Sequence, residues 1–254
     1  LYPGIYEIYE VKQPNGYNLD NNRYEVIIDS GNQASVTVSR TLKDRVIKGS
    51  IKVWKKDAEN QKPITVTHAE IELLNWNREV IDTKETNDEG FVIFENLPYG
   101  QYYVREKNAP ESYLLNPDQL LEFFIDVNGE TEEGTLLNER VYGSIKLTKE
   151  FLPTESGMTG EAHLEGVSYA LFAHSDILDS ADGSVIYEKG SMITDSLKKT
   201  DTNGQITWDH LYLGSYDIHE IESNGTVVIN TVDVEADLEY KDQNTSTISV
   251  SVTH

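Results

Sequence analysis

Hydrophobic and polar residues alternate with a period of two along most of this chain, and that period predicts strands. Tyr24 to Asp29 reads as one strand, Ser30-Gly31-Asn32 as a turn, and Ala34 to Ser39 as a second strand. Gly49 to Asp57 follows, with Ile51, Val53 and Lys55 on one face. Ala69 to Leu74 alternates strongly, and Glu79 to Thr83 and Phe91 to Phe94 flank a turn at Thr86 to Gly90. Leu121 to Val127 ends at the turn signal Asn128-Gly129, and Thr135 to Asn138 is the last strand of this set. From Gly143 the plan returns. Gly143 to Lys149 matches the stretch from Gly49 almost residue for residue, and Leu164 to Phe172 matches the strand at Ala69. Residues 173–199 are longer than their counterpart and predict a short helix at Ser175 to Asp179 with an extra hairpin. Thr226 to Val234 and Thr247 to Thr253 read as two late strands.

One stretch occurs three times. Leu97-Pro98-Tyr99-Gly100-Gln101-Tyr102-Tyr103-Val104-Arg105-Glu106 has counterparts at Leu1 to Glu10 and Leu211 to Glu220. Each copy has a Gly three residues after the Leu, a Tyr two later, and a Glu four after the Tyr. Tyr102, Val104 and Glu106 would point to one face of a strand. An inward carboxylate is costly unless something bonds it, so its return as Glu10, Glu106 and Glu220 asks for a chemical reason. The glycines of the copies lie roughly 95 and 115 residues apart, a domain-sized spacing. Three units follow: 1–45 as the later part of a first domain, 46–142 as a complete second, and 143–254 as an enlarged third. The chain opens inside a motif, and we expect it to be a fragment of something longer. About seven short strands in the complete unit 46–142 predict an all-β sandwich of immunoglobulin size. The connections at Val46 to Gly49 and Arg140 to Gly143 are short, which predicts limited bending and an elongated chain.

Composition narrows the functions. Among the 254 residues there is no cysteine, which removes disulfides, thiolate metal sites and cysteine nucleophiles. A formal charge of −23 argues against nucleic acid and anionic membrane surfaces as partners. No apolar run is long enough to span a bilayer, and no signal peptide starts the chain. The six His show no metal-ligand pairing, and no phosphate loop or serine-hydrolase elbow appears, so no metal or cofactor is expected. Asp88-Glu89-Gly90 and Asp201 to Gly204 lack full calcium-loop spacing and read as hairpin turns. Leu152 to Ser156 reads as a loop.

The pattern Gly-Ser-Ile-Lys-x-x-Lys, Ala-x-Ile-Glu-Leu, Asn-x-x-Gly-x-x-x-Phe-x-x-Leu-x-x-Gly-x-Tyr-x-x-x-Glu and Ala-Pro-x-x-Tyr resembles the B-type repeats of Gram-positive collagen adhesins and the similar SpaA-type pilin domains. The resemblance implies tandem prealbumin-like, or inverse immunoglobulin-like, β-sandwiches in the stalk of an extracellular, wall-anchored surface protein. It also implies a spontaneous isopeptide bond between a first-strand Lys and a last-strand Asn or Asp, assisted by the motif Glu. In the second unit that pattern falls on Lys55, Glu106 and Asn138; in the first, on Glu10 and Asp44, with the Lys before Leu1; in the third, on Lys149 and Glu220. The third acceptor should fall at His254 or just beyond, and His254 supplies no carboxamide. Ser112 stands where the family box usually has Gly.

The residue types suit the chemistry. A Lys among aliphatics favours its neutral, nucleophilic form, and a protonated Glu between the partners could donate to the carboxamide oxygen and carry a proton to departing ammonia. An ordinary buried Lys–Glu ion pair, or a Lys reaching out to solvent, is the competing reading. For the whole chain three functions compete. The first is a stalk segment with no turnover on external substrates, touching neighbouring domains or chains of its own protein. The second is an adhesin module whose enlarged third unit contacts a host matrix protein or glycan. The third is an accessory domain of a secreted enzyme.

Overall fold

The computed structural model describes residues 1–29, 31, 37–151 and 163–254. The described residues form strands, turns and loops with no helix. The first segment contains β1 (Gly4–Tyr9), β2 (Tyr17–Asn18), β3 (Arg23–Ile28) and β4 (Arg45–Val46). β1 pairs antiparallel with β3, and β2 with β4. Ile5, Ile8, Tyr9 and Ile27 lie exposed on this small sheet. Of the strand expected at Ala34 to Ser39, Thr37 to Ser39 are described and form no strand; the rest, like Leu152 to Ser156, lies outside the described residues.

The next seven strands are β5 (Lys48–Asp57), β6 (Glu70–Leu74), β7 (Val80–Glu85), β8 (Phe91–Pro98), β9 (Gly100–Asn108), β10 (Leu120–Ile125) and β11 (Thr131–Asn138). They form two facing sheets, β11-β5-β8 and β10-β9-β6-β7. The alternation explains the packing. Ile51 and Val53 of β5, Ile71 and Leu73 of β6, Val104 of β9 and Leu136 of β11 all turn inward and make one core. β11 runs parallel to β5, so the last strand lies against the first, and Leu136 stands opposite Lys55.

The remaining strands repeat the plan: β12 (Tyr142–Thr148), β13 (Ser168–Ala173), β14 (Ile177–Leu178), β15 (Val185–Tyr187), β16 (Lys198–Lys199), β17 (Gln205–Leu211), β18 (Gly214–Glu222), β19 (Val234–Leu238) and β20 (Thr247–Thr253). Their sheets are β17-β12-β20 and β16-β13-β18-β19, around a second core that includes Ile145, Leu147, Tyr169, Trp208 and Ile218. β20 is again parallel to β12.

Two expectations are corrected. Ser175 to Asp179 is not a helix: Ile177 and Leu178 pair with β15 as half of a hairpin. Five residues are too few to stabilise a helix, and the extended form buries Ile177. The strand expected at Thr226 to Val234 begins instead at Val234. There Ala236 and Leu238 fill the core between acidic residues, whereas Val228 and Val232 are exposed. The expected hairpin turns are present. Asn87 Oδ1 accepts from the N–H groups of Glu89 and Phe91, and Asp201 Oδ1 from those of Asn203 and Gln205, so these side chains are engaged with their own backbone.

Candidate cross-link site in the second unit

The repeated motif has a local physical basis. Its Tyr hydroxyl donates to the carbonyl four residues earlier in every copy: Tyr6 to Tyr2, Tyr102 to Pro98, and Tyr216 to Tyr212. Gly100 and Gly214 lie between those partners at φ of 149° and 153°, a conformation that side chains disfavour. The pinned turn fixes the start of β9 and β18, and alternation then carries Glu106 and Glu220 inward.

Lys55, Glu106 and Asn138 meet in the core between the two sheets, each almost fully buried. Lys55 continues the inward face of Ile51 and Val53, and Asn138 the inward face of Leu136. Glu106 comes from the opposite sheet, beside Ile71. Its two oxygens divide the partners. Oε1 lies 3.1 Å from Lys55 Nζ, and Oε2 accepts from Asn138 Nδ2 at 2.8 Å. Nδ2 also donates to the Leu114 carbonyl at 2.6 Å, which fixes the amide's orientation, since a carbonyl needs a donor. The carboxylate therefore faces the amide nitrogen, not the carboxamide oxygen that the residue chemistry suggested.

This arrangement leaves much unsatisfied. The Lys55–Glu106 contact is close but misaligned for a hydrogen bond, and Lys55 Nζ, Glu106 Oε1 and Asn138 Oδ1 are all buried without a hydrogen-bond partner. Burial pushes the Lys55 ammonium down to about 8, with the nearby Glu106 carboxylate acting in the opposite direction. Each such orphan costs about 1–3 kcal/mol or more.

The third unit differs. Lys149 Nζ lies 2.8 Å from Glu220 Oε2 and 3.2 Å from the Tyr169 hydroxyl. Tyr169 stands where the second unit has Ile71, and its hydroxyl also meets Glu220 and His254 Nδ1. His254 Nε2 donates to the Val232 carbonyl. The register identifies His254. Thr253 pairs with Thr148, so His254 stands beside Lys149 as Leu136 stands beside Lys55. His254 is thus the counterpart of Leu136, not of Asn138. In the first segment Glu10 Oε2 accepts from the Asp20 N–H at 2.6 Å, while Asp44 is exposed. These two share no hydrogen bond among the described contacts. The sequence reading did not anticipate Asp57, Tyr113, Arg140 or Tyr169. A hint was present for the first three, because Asp57 and Arg140 each follow a site residue by two positions and Tyr113 closes the Ala-Pro-x-x-Tyr box.

The SpaA prealbumin-like fold domain matches residues 1–42 and 49–140, more than half of the chain. The chain belongs to this family. A search of the curated proteins finds no match. Among solved structures, the Bacillus anthracis TIE protein superposes over 100% of this chain at a TM-score of 0.71 and 24% identity. This chain spans 42% of that one, and the likeness is one of fold. The major pilin subunit BcpA of Bacillus cereus matches 81% of this chain and 99% of its own, at 12% identity and a TM-score of 0.33. The shaft pilin spaA of Lactobacillus rhamnosus GG matches 82% of this chain and 97% of its own, at 11% identity and a TM-score of 0.30. The chain is all-β, as the strand pattern predicted, and prealbumin-like, as the family resemblance implied.

Proposed function

We propose that this chain is a structural stalk segment of a Gram-positive cell-surface adhesin or pilus-like protein, and that its second unit is braced by an amide bond between Lys55 and Asn138. Membership of the SpaA family supports the stalk. The observation that carries the bond is the convergence of three buried, mutually facing groups that each keep an unsatisfied polar atom. A buried ion pair selected for stability would be expected to satisfy them.

The chemistry follows from the two-sided carboxylate. Glu106 takes a proton from the Lys55 ammonium, which burial already favours losing. Neutral Nζ attacks Cγ of Asn138, the Cγ–Nδ2 bond breaks, and the Glu106 carboxyl protonates Nδ2, which it already faces. Nitrogen leaves as ammonia, Nζ passes its second proton to the Glu106 carboxylate, and the new amide keeps one hydrogen. No external substrate is turned over, and the fold supplies the proximity. In the third unit the same reaction needs an Asn or Asp two residues after His254. In the first, Glu10 and Asp44 would need a Lys from before Leu1.

Single-molecule pulling on the chain ends tests this reading. The segment between Lys55 and Asn138 should contribute no extension in the native chain and should extend fully in Glu106→Ala. Full extension in both would overturn it.

A second reading, ligand contact by the third unit, is supported by a cavity of about 190 Å³. Tyr187, Tyr212 and His210 line it with Asp195 and Lys198, over Trp208. Flat rings beside charged groups suit a single sugar ring. Titration of the chain with a monosaccharide panel, read by NMR, should shift these residues; unmoved spectra at millimolar sugar would end this reading.

A further inference from the structure

The enlarged part of the third unit reaches back to the second. Asp179, in the hairpin between β14 and β15, accepts from Arg140 Nη2 at 2.7 Å, and Arg140 Nε donates to Asp57 on β5. Asp57 also accepts from the Tyr113 hydroxyl at 2.9 Å. The side chains of Arg140 and Asp57 are buried and that of Asp179 nearly so. A guanidinium in the connection between units thus holds one carboxylate from each side. Around it, the Thr65 N–H donates to the Ala181 carbonyl at 2.7 Å, and Ala181 is fully buried against Ile64 and Tyr113. At the edge Lys62 pairs with Asp182 at 2.6 Å. On a separate path, the N–H groups of Ala109 and Leu115 donate to the side chain and backbone carbonyls of Gln243.

We infer that residues 179–184 are an inter-unit lock, with Arg140 as its key, and that the lock joins the described sandwiches of the second and third units into a single stiff body. A short connection alone restricts the reach of two domains but leaves them free to rotate about its bonds. Here backbone hydrogen bonds, apolar contact and a buried charge triad fix the rotation as well. Removing one member of such a triad strands a buried charge, so partial opening is disfavoured. The lock also continues the load path. Asp57, the last residue of β5, follows Lys55 by two residues, and Arg140, just past the end of β11, follows Asn138 by two, and all four are buried. Force entering through Arg140 therefore reaches the Lys55–Asn138 rung before it reaches the rest of the sandwich. The lock does not depend on whether that rung is covalent.

Because the chain has no cysteine, a pair of introduced thiols labels it uniquely. Spin labels at Glu85→Cys and Glu239→Cys, both exposed in this structure, should give one narrow distance by electron–electron resonance in the full chain. That distance should hold in 1 M salt, which screens exposed charges but not a buried triad. Arg140→Met should broaden the distribution at least two-fold. If that variant fails to fold, Lys62→Glu, an exposed change facing Asp182, should still broaden it. A broad distribution in the parent chain, or unchanged width in the variants that fold, would overturn the lock.

Discussion

Replacing Lys55 and Glu106 together separates a covalent bond from an ion pair by the sign of the effect. In Lys55→Met/Glu106→Gln neither nucleophile nor proton carrier remains, while volume and much of the packing are kept. If the native chain holds only a buried ion pair, neutral residues of similar size should leave stability unchanged or raise it by about 1–4 kcal/mol. If Lys55 and Asn138 are joined, the change opens a closed loop of roughly 80 residues, and the chain-entropy relation puts that loss at about 4.5 kcal/mol. For a unit of this size the shift in melting temperature is roughly 20–35 °C downward. Differential scanning calorimetry on the full chain resolves the transition of the second unit. A double variant that melts at or above the parent would refute the covalent reading.

Tyr102→Phe removes the bond to the Pro98 carbonyl and should cost about 1 kcal/mol in denaturant titration, with the matching effect in the third unit from Tyr216→Phe. In Asn138→Ala no bond can form, so Lys55 titrates. Its folded value near 8 lies below the ordinary 10.5, so between those values the unfolded chain binds more protons and stability rises with pH. Denaturation at pH 7 and 9.5, against a Lys55→Met/Asn138→Ala control that cancels other titrations, should show that rise, and a flat difference would contradict it.

Much of the second unit was legible because its inward faces are nearly pure alternation. Ile51-Val53-Lys55 and Leu136-Asn138 announce both the strand and the odd polar residue at its end. The same period misled at Thr226 to Val234. A β-branched run looks like a strand, but nothing in it says whether a core waits on one side, and Val228 faces solvent. The true strand, with Ala236 and Leu238 between acids, is weaker by composition and stronger by packing. Asp57 and Arg140 escaped notice because charged residues at strand ends usually face water. Their burial depends on Asp179, far along the chain, and no local pattern carries that contact. Tyr169 was hidden for a similar reason: an aromatic in an apolar run reads as core, and only the register places its hydroxyl beside Lys149 and Glu220.

The most direct test of the Lys55–Asn138 bond is the intact mass of the chain. It should be lower than the sequence mass by one ammonia and no more, since among the described residues Lys149 Nζ meets Glu220 and Tyr169 and no carboxamide. Peptide mapping should recover Lys55 and Asn138 in one branched fragment, and Glu106→Ala should return the full mass. A native chain at its unmodified mass would contradict the account and leave an ordinary buried ion pair.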